Sequence, residues 1–325
     1  MMLQGVGSTR NRRPDVPAQP CCASDLGAPI LLPLPDVPMH NEREQRRRQA
    51  GLLDNVFDAH VHLLPDNFYA ALWRWFDQHA WNIVFRGNAE QNIAQLQQIG
   101  TRRLVALVYA HRAGTARFLN DYLGQLCRSH PQIVGVGTVL PGEPDARQIV
   151  REAIDVHGLR GIKLHCHVQK IAIDAPEVME VLELCQEMRV PAVVHAGREP
   201  ASAAYGVDAR QICSVEQTAK VLQRLPNLRL IVPHIGADEF DAYLGLLDVH
   251  ENLYLDTAMA CANYFSRQPS WPAIERQAAR ILYGTDFPII PYAADRELRT
   301  LARNLASDVA LGQILRGNAT RFWGD

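Results

Sequence analysis

Two histidines stand one residue apart in the stretch FDAHVHLLP, at His60 and His62. Side chains of a strand alternate between its faces, so residues two apart point the same way. Both imidazoles can therefore face one site, although the polar edge of an ordinary strand would leave the same pattern. Other chemistry-bearing residues close short apolar runs further along. They are Lys163, His165 and His167 in LRGIKLHCH, His195 in VPAVVHAG, His234 in LRLIVPHIG and Asp286 in RILYGTDFP. Imidazole nitrogens with a carboxylate are what a divalent ion such as Zn²⁺ takes, with a position left for water. A single histidine at a strand end is more often a hydrogen-bonded structural residue, and His111, His157 and His250 are read that way. The recurrence of the others at the late ends of apolar runs favours a metal.

Residues so far apart in sequence need a scaffold that gathers strand ends. From about residue 54 short apolar runs alternate with segments of helical period. Eight runs read as strands: NVFDAHVH, RRLVALVYA, IVGVGTVL, LRGIKLHCH, VPAVVHAG, LRLIVPHIG, NLYLDTAM and RILYGTDFP. Several are apolar on both faces, as parallel strands covered by helices must be. Eight βα units in about 250 residues predict a (β/α)₈ TIM barrel, whose catalytic groups sit at the carboxyl ends of its strands. A doubly wound open sheet competes, but no G-x-G-x-x-G follows the first strand. The stretch NFYAALWRWFDQHAWNIVFRGNAEQN is longer than a simple connection and predicts a helical insertion after strand 1. Its aromatics are read as packing beneath that insertion ahead of lining a lid. Residues 1–50 are polar, proline-rich and charged, which predicts a disordered leader with one exposed helical segment. The barrel is expected over residues 51–325.

Composition narrows the function classes. The chain has 325 residues, 47% apolar and 21% charged, with a formal net charge of −2. That balance gives no electrostatic case for nucleic acid or an anionic membrane. The Arg-rich piece NEREQRRRQAG carries glutamates that partly cancel its charge. No apolar run reaches the roughly 18 residues of a membrane span. Seven cysteines, an odd number with no C-x-x-C spacing, suggest neither a disulfide framework nor a thiolate zinc site. No secretory signal is recognisable, so a reducing cytoplasm is expected.

Taken together, FDAHVH, GIKLH, VVHAG, VPHIGA, LYGTDFP and the closing GNATRFWG resemble the amidohydrolase superfamily. The nearest branch is the amidohydrolase-related group that also holds metal-dependent decarboxylases of aromatic and related acids. The resemblance runs over roughly residues 54–325. It implies that His60, His62, His195 and Asp286 bind the metal, and that Asp286 takes a proton from an attacking water. His234 would contact that water or the substrate. One divalent ion is implied, zinc ranked ahead of manganese, with a second ion ranked below. Lys163 matches a lysine that is carboxylated and bridges two ions in some members; that role is ranked behind pocket lining. His165 and His167 would line the pocket or supply a second ion. Arg198, like Arg112, would clamp a substrate anion, with a salt bridge to Glu199 or Asp238 as the competing reading. Asp256 would orient a ligand histidine, Cys166 would face away from the axis, and Asn318 would cap or turn the closing segment.

The activity implied is hydrolysis of an amide, lactone or ester of a small organic acid. A non-oxidative decarboxylase on the same metal is the alternative, and a barrel kept only as a scaffold is the third reading. A small-molecule substrate is the expected partner, with self-association into a homo-oligomer left open.

Overall fold

The computed structural model describes residues 41–199 and 202–324. Its eight strands are β1 (Val56–Val61), β2 (Thr101–Leu107), β3 (Ile133–Thr138), β4 (Ile162–His165), β5 (Ala192–His195), β6 (Leu230–Val232), β7 (Leu253–Asp256) and β8 (Ile281–Leu282). They follow one another around a parallel sheet in sequence order. The segment that continues β8 closes the ring onto β1. Ala59 N–H donates to Tyr283 O at 2.7 Å, Asp286 N–H to His60 O at 2.9 Å and His62 N–H to Phe287 O at 2.8 Å. The predicted (β/α)₈ barrel is therefore the fold. The run RILYGTDFP yields only two residues of regular strand, and further on the backbone turns left-handed at Asp286, φ 63°.

Alternation sorts the apolar side chains into two shells. Val105, Val134, Val193, Ile231 and Leu282 fill the interior of the barrel. Leu104, Ile133, Leu164, Val194, Leu230 and Leu255 face outward beneath the helices. Cys166 packs in the outer shell, on the side that alternation predicts. The last helix, Asn318–Trp323, plugs the end where the strands begin, adding Phe322 and Trp323 to the inner shell. Arginines near the starts of three strands hold its final carbonyls: Arg103 to Gly324 O, Arg160 to Trp323 O and Arg229 to Phe322 O. Asn318 donates to Ala278 O and Ile281 O, both at 2.6 Å, and so braces the closing segment.

Between β1 and β2 the helix Asp66–His79 precedes the barrel helix Ala89–Gln98, which is the predicted insertion. Its aromatics do pack inward. Tyr69, Phe76 and Trp81 are buried, and the Tyr69 hydroxyl donates to His62 O at 2.7 Å while accepting from Asn92.

The leader expected over residues 1–50 falls, for residues 1–40, outside the described residues. The helix Glu42–Gln49 differs from the exposed segment predicted there. Arg47 is 3% exposed and donates to Ala302 O at 2.7 Å and Leu305 O at 3.0 Å. These carbonyls end the helix Arg296–Asn304 and have no partner within that helix. Glu44 meets Arg303 at 2.6 Å and Arg299 at 3.3 Å. The helix docks by charge and not by an apolar stripe, which is why hydrophobic periodicity gives no sign of the contact. No helix among the described residues is long and apolar enough to cross a membrane.

Candidate metal centre

β1 brings His60 and His62 to the carboxyl end of the barrel, and the turn after β8 brings Asp286 beside them. His60 Nε2 lies 3.2 Å from Asp286 Oδ1, His62 Nε2 3.0 Å from the same oxygen, and the two nitrogens are 3.3 Å apart. Zinc binds such atoms at about 2.0–2.2 Å, which sets neighbouring ligands about 3.0–3.5 Å apart. The three atoms already stand at that spacing.

Neighbours fix which nitrogen each ring presents. His60 Nδ1 meets Asp256 Oδ2 at 2.8 Å and His62 Nδ1 meets Leu107 O at 3.2 Å. Both partners can only accept, so Nδ1 carries the hydrogen and Nε2 turns toward Asp286. Burial works against a charged His60, but Asp256 and Asp286 outweigh it and lift its pKa to about 9. Burial likewise opposes the Asp286 carboxylate, yet His60, His62 and His234 hold it well below the usual range. The site thus demands a cation between these groups, a proton or a metal ion.

Two features of the backbone make the approach feasible. A Cβ on Gly284 would lie 2.8 Å from His60 Cβ, so only glycine lets the strand-8 segment pass that close. Asp58, two residues before His60, accepts from His60 N–H at 3.0 Å, Thr285 N–H at 3.1 Å and Thr285 Oγ1 at 2.7 Å. It ties β1 to the turn that carries Asp286. Burial raises its pKa to about 7 against those hydrogen bonds. Sequence reading missed Asp58, although its place in FDAHVH, two before His60, was a usable signal.

The remaining histidines form a second group. His234 sits at φ 59°, donates from Nδ1 to Ala258 O at 2.7 Å and presents Nε2 to His195 Nδ1 at 3.1 Å. Since His234 Nε2 is then an acceptor, His195 donates from Nδ1 and leaves its own Nε2 bare. His195 stacks on His165, ring centroids 4.0 Å apart and planes within 9°. The ligand atoms of His165, His167 and His195 lie within 4.8 Å of one another, as do those of His60, His62 and Asp286. Of the predicted set His60, His62, His195 and Asp286, three gather at that spacing, and His195 gathers with His165 and His167. His234 links the halves, its ring 5.2 Å from that of His60 and 4.7 Å from that of His195. Burial depresses the pKa of His165 and His195 well below normal and that of His234 to about 4.

Lys163 is fully buried, its Nζ without a hydrogen-bond partner among the described residues. Burial lowers its pKa to about 8 while Asp256 and Asp286 pull the other way. Arg198 is engaged by Glu239 at 3.0 Å, a partner the sequence did not suggest. Two tyrosines complete the wall. Tyr109 lies 5.4 Å from the His62 ring and 5.2 Å from that of His165, and Tyr205 lies 5.5 Å from that of His167. Tyr109 follows the inward-facing Leu107 by two and was legible; Tyr205 comes from a loop with no periodic signal.

The family model described as amidohydrolase matches residues 57–324. The chain belongs to the amidohydrolase family. Among curated proteins none matches it. Among solved structures it is similar to a TIM-barrel protein from Bordetella bronchiseptica, at 19% identity and TM-score 0.62, covering 82% of this chain and 98% of that one. It is also similar to 2,6-dihydroxybenzoate decarboxylase from Rhizobium, at 15% identity and TM-score 0.58, covering 83% and 98%. A third likeness is 5-carboxyvanillate decarboxylase from Novosphingobium aromaticivorans, in complex with manganese, at 16% identity and TM-score 0.61, covering 89% and 98%. At such identities the likeness shows the fold alone. As a member of a metal-dependent family, this chain carries at its strand ends a donor set that fits a divalent ion.

Proposed function

We propose that this amidohydrolase is a metal-dependent hydrolase acting on an amide, lactone or ester bond of a small organic acid. The observation that carries the reading is the meeting of His60 Nε2, His62 Nε2 and Asp286 Oδ1 within 3.0–3.3 Å, with both imidazole tautomers fixed from behind. These three residues would hold one divalent ion, zinc ahead of manganese. When bound, the ion supplies a polarised carbonyl and a water acidified to a pKa of about 7. Asp286 is kept ionised by its histidine neighbours, so it accepts the proton released in the attack and returns it to the leaving group. Proton transfer of this kind contributes about 10²–10⁴ in rate. Lys163, on the β4 position two before His165, supplies a positive charge for a substrate carboxylate or developing oxyanion. His234 positions His195 through its Nε2, its own ring being held by Ala258 O.

Decarboxylation of an aromatic acid is the second reading. Tyr109 and Tyr205 beside the histidines favour a flat ring, and two of the structurally similar proteins are named as decarboxylases. The two readings part in one assay: CO₂ release from a panel of aromatic carboxylates, run beside hydrolysis of amides, lactones and esters. Hydrolysis is expected, with His60→Ala losing metal and activity together and Asp286→Asn losing about 10²–10⁴ in kcat. CO₂ without any hydrolysis product would replace the first reading by the second.

A further inference from the structure

We infer that Glu297 is a positioning residue, kept as the neutral acid, which fixes the turn after β7 whose Ala258 carbonyl orients His234. Residues 257–262 of that turn are buried throughout. Met259 within it stands at φ 58°, a left-handed backbone that a residue other than glycine keeps only where its surroundings hold it. Ala258 O accepts from His234 Nδ1 at 2.7 Å and from Ala260 N–H at 2.6 Å. Two neighbouring side chains at the start of the helix Arg296–Asn304 grip the far half of the turn. Glu297 Oε1 accepts from Cys261 N–H at 2.7 Å, whereas the same amide reaches Thr257 O only at 3.4 Å. Arg296 Nε donates to Ala262 O at 2.7 Å.

The surroundings of Glu297 set its protonation. The residue is 1% exposed. Among the described residues no donor reaches its Oε2, and the hydroxyls of Tyr283 and Tyr292 are likewise buried without a partner. The charged and titratable groups that face it are Asp256 from β7, Asp58 from β1 and Arg296 from its own helix, together with the Cys261 thiol and the two tyrosines. The two carboxylates oppose a further anion. Arg296, the Cys261 N–H and the start of the helix favour one, but they return less than it costs to bury a carboxylate with no paired cation. Burial therefore holds the Glu297 pKa well above the usual carboxyl range. The neutral acid still presents Oε1 as an acceptor, so the grip on Cys261 does not require a charge.

The inference rests on the place of His234 in the proposed site, but its tests need neither metal nor turnover. A chain that hydrolyses nothing can still support it. The sign of the pH dependence follows from linkage. The folded chain keeps the Glu297 proton, while the unfolded chain releases it above about pH 4.3. Wild-type stability then falls as pH rises, and an amide at this position removes that loss.

The experiment compares full-length wild type, Glu297→Gln and Glu297→Met, labelled with ¹⁵N-histidine. It follows thermal unfolding from about pH 5 to about pH 8 and solvent exchange of the His234 Nδ1–H proton, assigned by its loss in His234→Gln. The Tm of Glu297→Gln should gain on wild type by roughly 2–4 °C for each pH unit, with His234 exchange within about twofold of wild type. Glu297→Met matches the side chain in length but cannot accept from Cys261 N–H, and its His234 proton should exchange about tenfold faster or more. A Tm difference between Glu297→Gln and wild type that stays flat or shrinks as pH rises overturns the neutral acid. Wild-type exchange in Glu297→Met overturns the positioning role. Should Glu297→Met not fold, Glu297→Gln decides alone: it keeps the acceptor, so rapid exchange of the His234 proton there contradicts the inference.

Discussion

Asp256 controls what His60 can offer. Its Oδ2 accepts from His60 Nδ1 at 2.8 Å, and its Oδ1 accepts from His234 N–H at 3.0 Å and Ala258 N–H at 3.1 Å. In Asp256→Asn the amide keeps its oxygen on the two backbone donors and turns its NH₂ toward His60. The imidazole must then move its hydrogen from Nδ1 to Nε2, where it blocks the atom that faces Asp286. Metal affinity should fall about 10–100-fold, measured by competition with a chromophoric chelator; an unchanged dissociation constant would disprove the orienting role. At this scale the chemistry was legible wherever it depended on alternation: the paired His60 and His62, the late Asp286 and Asp256, and the outward Cys166. It was illegible where it depended on ring rotation and tautomer. His195 reads in sequence like the other strand-end histidines, yet its partners follow from the Ala258 carbonyl and the His234 ring. No spacing rule reaches those contacts.

Elements were recovered to the extent that burial shaped them. Seven of the eight strands carry apolar residues on both faces, since the inner shell and the helices cover them, while β4 turns Lys163 and His165 inward, so composition marks nearly all of them. The docking of the Glu42–Gln49 helix escaped because its contacts are polar. Arg47 reaches carbonyls that the Arg296–Asn304 helix cannot satisfy itself, and it also bonds Asp308 at 2.6 Å. Arg47→Ala leaves those buried carbonyls without a donor, a loss that hydrogen bonds to charged groups put at about 2–3 kcal/mol. A fall in Tm of roughly 5–10 °C is expected, with metal content unchanged because the contact lies outside the barrel wall. A melting temperature within a degree of the parent would mean that the helix is dispensable to the fold.

Over the whole molecule, stability and chemistry are stacked at opposite ends of one axis. The imidazoles, Asp286 and Lys163 occupy the end where strands finish, as the barrel architecture requires. The inner layer of Phe57, Val105, Val134, Val193, Ile231 and Leu282 lies beneath them. Phe322 and Trp323 then seal the end where strands begin, with the Arg229 guanidinium 4.0 Å over the Phe322 ring. The seal was legible only as a hint in GNATRFWG, because what it packs on is assembled from eight separated segments. Phe322→Ala removes a ring that is 5% exposed and opens a cavity against that layer, a change that costs about 3–5 kcal/mol in comparable cores. Tm should drop by roughly 10 °C, and some loss of solubility should accompany the exposed apolar layer. Metal stoichiometry and kcat measured well below the new Tm should stay at parental values, since the packed layer separates plug from mouth. Should metal binding fall in step with stability, the two ends are coupled through the barrel interior, and the division of labour along the axis is wrong.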